Sequence, residues 1–246
     1  MVLRVRTNKT GWLALNPQML LYLDGKEYQA FDTNHQEALL SNSASGGRIY
    51  DVMIYVFSGL KRSYNFVDDG NDVTFFAELR TVDPLIEDFY YNIRVPFQVI
   101  SYLPEDTIER IKLLSILNDT INKVDLRVAY SAEFYATLRE ANDYIKERLY
   151  ASPEHLDAIV TCLGHTHIDV AWLWQYSHTR EKAVRSFSTA LRLMDEYPEF
   201  IFMSSQPQLY EFVKEDHPAV FNEIKKRVKE GRWEPEGGMW VESDPL

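Results

Sequence analysis

Along the chain the spacing of apolar residues changes period twice, and each change marks a different kind of structure. In the first third, Leu20 to Leu23 run into Asp24-Gly25, a pair suited to a two-residue hairpin turn, before Tyr28 and Phe31 resume. Ile49 to Phe57 and Val73 to Leu79 read as further strands, the second following the turn cluster Asp68-Asp69-Gly70-Asn71-Asp72. This pattern predicts a β-rich sandwich or meander over residues 1–83.

From Pro84 the period becomes helical. Leu85, Phe89, Ile93, Phe97 and Ile100 recur at helical spacing, with Pro96 expected to kink or divide the helix. Ile108, Ile111, Leu114, Ile116 and Leu117 form one apolar stripe, and Phe134, Leu138, Ala141 and Ile145 a second. Both read as packing faces in a helical linking segment, residues 84–154, to which no chemistry is assigned.

The last third, 155–246, alternates strand and helix. Expected are a short strand at Ile159 to Leu163, a helix at Thr179 to Glu196, a strand at Phe200 to Ser204, a helix at Ala219 to Glu230 and an extended stretch from Trp233 to Val241. Ala183, Phe187, Ala190, Leu191 and Met194 fall on one helical face, as in a helix that covers a parallel sheet. Repeated β-α units of this kind imply a barrel or a doubly wound sheet, so the fold class is α/β with an N-terminal β-rich domain.

Composition narrows the function. Acidic residues outnumber basic ones 37 to 26 and the net charge is −11, which leaves no basic surface for nucleic acid. No stretch approaches the roughly 18 apolar residues of a membrane span, and the start lacks the apolar core of a signal peptide. A cytoplasmic protein is expected, with a homo-oligomer allowed. Cys162, the single cysteine, reads as a small buried hydrophobe. The tripeptides at Asn8 and Asn118 that match a glycosylation pattern have no meaning without secretion.

Two strings carry chemistry. In CLGHTHIDVAWLW an apolar run breaks at Gly164 into His165, His167 and Asp169, which alternate and would share one face at a strand's C-terminal end. That end is where β/α folds place their sites, and imidazole nitrogen with carboxylate oxygen is a ligand set for zinc and similar ions. In EGRWEPEGGMWVESDPL, Gly231 stops a helix, Gly237-Gly238 permit a tight backbone passage, and Glu236, Glu242 and Asp244 are candidate carboxylates.

Together the two strings resemble glycoside hydrolase family 38, the α-mannosidases: GHTHIDVAWLW is similar to its opening metal motif and GGMWVESD to its nucleophile motif. The segments SFSTALRLMDEYPEF, SSQPQLYEFVKE and EIKKRVKEGRWEPEGG look like its connecting segments in the bacterial and cytosolic branch, and LLYLDGKEYQAFDTNHQEALL like that branch's accessory β domain. The resemblance implies a zinc-dependent retaining exo-α-mannosidase acting on α-mannoside oligosaccharides. His167, Asp169 and Asp244 would be zinc ligands, with Asp244 also the catalytic nucleophile. Trp172 would face the sugar, and His165 would support the site rather than ligate. It further implies that residues 155–246 begin a β/α barrel-type catalytic domain, whose fourth ligand and general acid lie past Leu246, so that the chain is an N-terminal fragment inactive alone.

Two other readings compete. A metal-dependent amidohydrolase or phosphoesterase also opens with His-x-His at a strand end, but needs histidines on later strands, and only His178 and His217 follow His167. A non-catalytic β and helical binding module would leave both motif strings unexplained.

Overall fold

The computed structural model describes residues 1–8, 17–32, 34–57, 62–63, 66–67, 73–151, 160–172 and 174–242. Contacts divide the chain into two compact units, one made of Met1–Arg80 with Thr161–Leu246 and the other of Thr81–Val160.

The first unit begins with antiparallel strands. The expected hairpin is present: β2 (Gln18–Leu23) pairs with β3 (Lys26–Phe31) across Asp24 and Gly25, whose φ values of 51° and 76° are those of a turn with both central residues left-handed. β5 (Val52–Phe57) flanks β2 on its other edge, giving the order β3-β2-β5. A second sheet sets β1 (Val2–Thr7) between β4 (Glu37–Leu39) and β8 (Phe75–Arg80), and a short ribbon joins β6 (Arg62–Ser63) to β7 (Phe66–Val67). The strands anticipated from Ile49 and Val73 thus begin at Val52 and Phe75, while the turn cluster Asp68 to Asp72 lies outside the described residues. Val5 and Ala38 from one sheet share a core with Met19, Leu21 and Phe31 from the other. Leu20, on the opposite face of β2, enters a different core, which explains why this strand is an unbroken apolar run.

That second core belongs to three parallel strands and their helices. β9 (Gly164–His165), β10 (Phe202–Met203) and β11 (Trp233–Glu234) lie side by side in the order β11-β10-β9, each pairing parallel with its neighbour in sequence. α4 (Tyr176–Glu196) connects the first two, and α5 (Pro207–Asp216) with α6 (Pro218–Lys229) the last two. The face of α4 expected to be apolar is buried: Ala183, Phe187, Ala190, Leu191 and Met194 meet Phe202, Leu209, Phe212 and Trp233. Burying a side chain such as Phe187 stabilises by about 1.5–3 kcal/mol. The same helix lies against β3, where the Ala30 N–H donates to Thr189 Oγ1 at 3.0 Å. The arrangement is mixed α/β with small sheets, and the parallel part follows the sequential order of β-α units.

The strand anticipated at 159–163 is displaced. Ile159 lies outside the described residues, positions 160–163 are not strand, and pairing starts at Gly164. Val160 and Leu163 are exposed, and so is Cys162, against its reading as a buried hydrophobe. α5 was not anticipated at all: its apolar residues Leu209, Phe212 and Val213 span little more than one turn, too few to announce a helical period.

Among the described residues the second unit has three α-helices, α1 (Pro84–Ile100), α2 (Ile108–Ile121) and α3 (Ala132–Ile145), followed by a π-helical turn at Lys146–Tyr150. Asp83 caps α1 by accepting from the N–H groups of Leu85 and Ile86 at 3.0 and 3.2 Å. Pro96 does not divide this helix. The Asn92 carbonyl, deprived of its helical donor by the proline, accepts instead from the Tyr150 hydroxyl at 3.2 Å. Phe134, Leu138, Ala141 and Ile145 are buried as the stripe on α3 predicts. On α2 the stripe is split: Leu117 is buried and Ile116 packs beside it, but Ile108, Ile111 and Leu114 are exposed.

Candidate active site

The site begins where β9 ends. Gly164 is required by close packing, since a Cβ there would stand 2.5 Å from Phe200 Cζ. Beyond it the side chains alternate. Ile168 is fully buried in the core, so His167 and Asp169 on either side of it turn the other way. The His167 imidazole Nε2 donates to Asp169 Oδ1 at 2.9 Å, and its Nδ1 to Glu242 Oε2 at 2.6 Å. Asp169, first, and Glu242 as well hold the imidazolium form above its ordinary pKa, against the opposing effect of partial burial.

The chain after Asp169 is shaped by one hydroxyl. Thr179, fully buried near the start of α4, donates to the Asp169 carbonyl at 3.2 Å. Its oxygen accepts from the Ala171 N–H at 3.1 Å and from Trp174 Nε1 at 3.0 Å. Ala171 has φ 66°, a left-handed conformation that turns the chain and leaves Trp172 65% exposed. Trp172 meets Trp174 edge to face, with ring centres 5.5 Å apart.

The second motif string reaches the same place. Gly231, at φ 72°, ends α6, as expected of a C-terminal glycine. Gly237, at φ 134°, passes so near β10's end that a Cβ would lie 2.8 Å from Ser205 Cβ. Trp240 is held by Gln208, whose Oε1 accepts from its indole N–H at 2.9 Å. Glu236 is exposed. Glu242 arrives beside His167, with its carboxylate also accepting from the Ser205 hydroxyl. Asp244 lies outside the described residues.

Sequence reasoning missed Ser205, Gln206 and Thr179. Gln206, buried and left-handed at φ 67°, donates through Nε2 to the Ile168 carbonyl at 2.9 Å and accepts at Oε1 from the Glu242 N–H at 3.3 Å. The available signal was its position: SSQP sits between a strand and a Pro-initiated helix, at the same sheet end as His167.

The donor chemistry suits a divalent ion at His167 and Asp169. Two ligands about 2.0–2.1 Å from a tetrahedral zinc ion stand about 3.3 Å apart, close to the 2.9 Å between Nε2 and Oδ1. His165 is not brought to them. Its Nδ1 donates to the Met203 carbonyl at 3.0 Å, and among the described residues no three His, Cys, Asp or Glu side chains form a metal-holding group. His165 instead borders a cavity of about 460 Å³ that Lys182, Arg185, Asp32 and His35 also line, and to which His167, Asp169 and Glu242 do not contribute.

Residues 157–246 match the N-terminal domain of glycosyl hydrolases family 38. "Alpha-mannosidase G" of Dictyostelium discoideum is 34% identical over 168 residues, 68% of this chain and 15% of that protein. "Alpha-mannosidase 2C1" of Homo sapiens is 48% identical over 81 residues, and "Alpha-mannosidase" of Saccharomyces cerevisiae 43% over 83, each match covering 33% of this chain and 8% of the relative. The chain therefore spans about a seventh or less of the length of these relatives. Among the described residues no helix is long and apolar enough to cross a membrane.

Proposed function

We propose that this chain supplies part of the active site of a zinc-dependent, retaining exo-α-mannosidase that removes α-linked mannose from oligosaccharides. The observation that carries the reading is the pairing of His167 with Asp169 at the end of β9, inside the stretch that matches family 38. His167, Asp169 and Asp244 would hold the ion. Zinc, when bound, supplies a Lewis acid to the sugar hydroxyls and fixes the ring.

The chain's own groups supply part of the remaining chemistry. Asp244 attacks the anomeric carbon, the bond to the leaving oxygen breaks as a second carboxyl group protonates it, and water then releases the sugar with retained configuration. Trp172 offers an exposed aromatic face at the rim for the sugar ring to lie against. His165 supports the strand end through β10. A barrel-type catalytic domain and a cytoplasmic location belong to the same proposal. So does the need for residues outside these 246, because the chain spans a small part of its relatives.

Calorimetric titration with zinc tests the reading. The chain is expected to bind the ion more weakly than a closed four-ligand site, and His167→Ala with Asp169→Ala together to abolish binding. Zinc binding unchanged in the double variant would sink the assignment.

A further inference from the structure

We propose that Glu242 is a positioning residue that orients the His167 ring for metal binding, anchored by Ser205 and Gln206. The inference rests on the metal reading of His167 and Asp169 given above. Its basis is a closed chain of contacts. One Glu242 oxygen, Oε2, takes the Nδ1–H of His167 at 2.6 Å, and the other accepts from the Ser205 hydroxyl. The Glu242 main-chain N–H donates to Gln206 Oε1, and Gln206 Nε2 donates to the carbonyl of Ile168, the residue between His167 and Asp169. The segment that carries the imidazole, just past β9, and the segment that carries the carboxylate are thereby held by the same buried amide, which sits at the end of β10.

An imidazole can ligate only through a nitrogen that carries no proton. With Nδ1–H committed to Glu242, Nε2 is the nitrogen left to give up its proton to an arriving ion, and Nε2 is the atom that faces Asp169 Oδ1. Without the carboxylate the ring could turn over or take the other tautomer, and each alternative moves the donor away from Asp169. A carboxylate in this place also raises the basicity of the ligating nitrogen. Ser205 and Gln206 leave Glu242 little freedom to follow another partner, so the ring direction is set before any ion arrives.

The test compares the 246-residue chain with Glu242→Leu, which removes the acceptor, and Glu242→Gln, which keeps a neutral one. Zinc affinity is expected to fall about 10–100-fold in the leucine variant and less in the glutamine variant, with circular dichroism spectra superimposable on the parent's. If the leucine variant fails to fold, a loss of affinity in the glutamine variant supports the role and parental affinity there overturns it. Leucine-variant affinity equal to the parent's, while His167→Ala abolishes binding, overturns the role of Glu242 and leaves the metal reading standing. Parent binding that survives His167→Ala overturns the metal reading instead. Nitrogen-15 shifts of the His167 ring in the zinc-free chain then decide the positioning contact by themselves: a proton on Nδ1 that loses its partner in a folded Glu242 variant is expected, and identical ring shifts in parent and variant overturn the proposal.

Discussion

The side-chain amide of Gln206 donates to the main-chain carbonyl of Ile168 at 2.9 Å, and so ties the start of α5 to the segment between His167 and Asp169. Both partners are buried, and Gln206 holds this contact from a left-handed backbone that costs a non-glycine residue of order 1–3 kcal/mol. The fold retains the strain because the amide satisfies two main-chain groups that water does not reach freely. Gln206→Ala should keep the strain and orphan the Ile168 carbonyl, lowering stability by about 1–3 kcal/mol. Urea unfolding followed by circular dichroism measures the loss; a midpoint unchanged from the parent's would show that the amide is dispensable.

Thr179 serves three main-chain and side-chain groups with one hydroxyl. Thr179→Val keeps the shape but leaves the Ala171 N–H, the Trp174 indole N–H and the Asp169 carbonyl without it. A loss of about 1–3 kcal/mol is expected, together with a shift in tryptophan fluorescence as Trp174 is released. Thr179→Ser, which restores the hydroxyl, should recover most of both; failure of serine to do so would locate the effect in the missing methyl group.

Asp88 gives the helical unit a defined pH response. Lys146, first, with Asn142 and Asn92, holds its carboxyl below the ordinary carboxylate range against the opposing effect of burial. A depressed folded pKa means that the unfolded chain binds the proton first as pH falls. The contribution is therefore whole above the ordinary carboxylate range and is lost as pH drops through the depressed value. Asp88→Asn should lower stability slightly at neutral pH and make the acid limb of a Tm-against-pH plot shallower, the effect being small because the pair is half exposed. An acid limb as steep as the parent's would assign the response to other carboxyls.

On the proposed function, Asp244→Asn in an active enzyme that contains this segment is expected to abolish hydrolysis with the fold intact, whereas Glu236→Gln should cost little because that side chain is exposed. Trapping with a slow fluorinated mannoside, followed by peptide mass spectrometry, locates the covalent label. A label on Glu236 or Glu242, or a product of inverted configuration, refutes the nucleophile assignment.

The β2–β3 hairpin, the apolar faces of α3 and α4, and the glycine stop at Gly231 were legible in the chain because each is a local device: turn chemistry, side-chain period and backbone freedom act over a few neighbours. The motif strings likewise suggested that His167 and Asp169 face the same way, since two residues with one between them in an extended segment need only alternation. The tertiary structure alone decided that His165 turns to Met203, that Glu242 meets His167, and that Gln206 and Thr179 bind the site together. Those partners stand 38, 75, 38 and 10 residues apart in sequence, and nothing in a local pattern fixes which side chains meet once strands pair. Parallel pairing through β10 brings the ends of β9 and β11 to one edge, and close packing there leaves a buried amide and a buried hydroxyl as the groups able to satisfy the main chain.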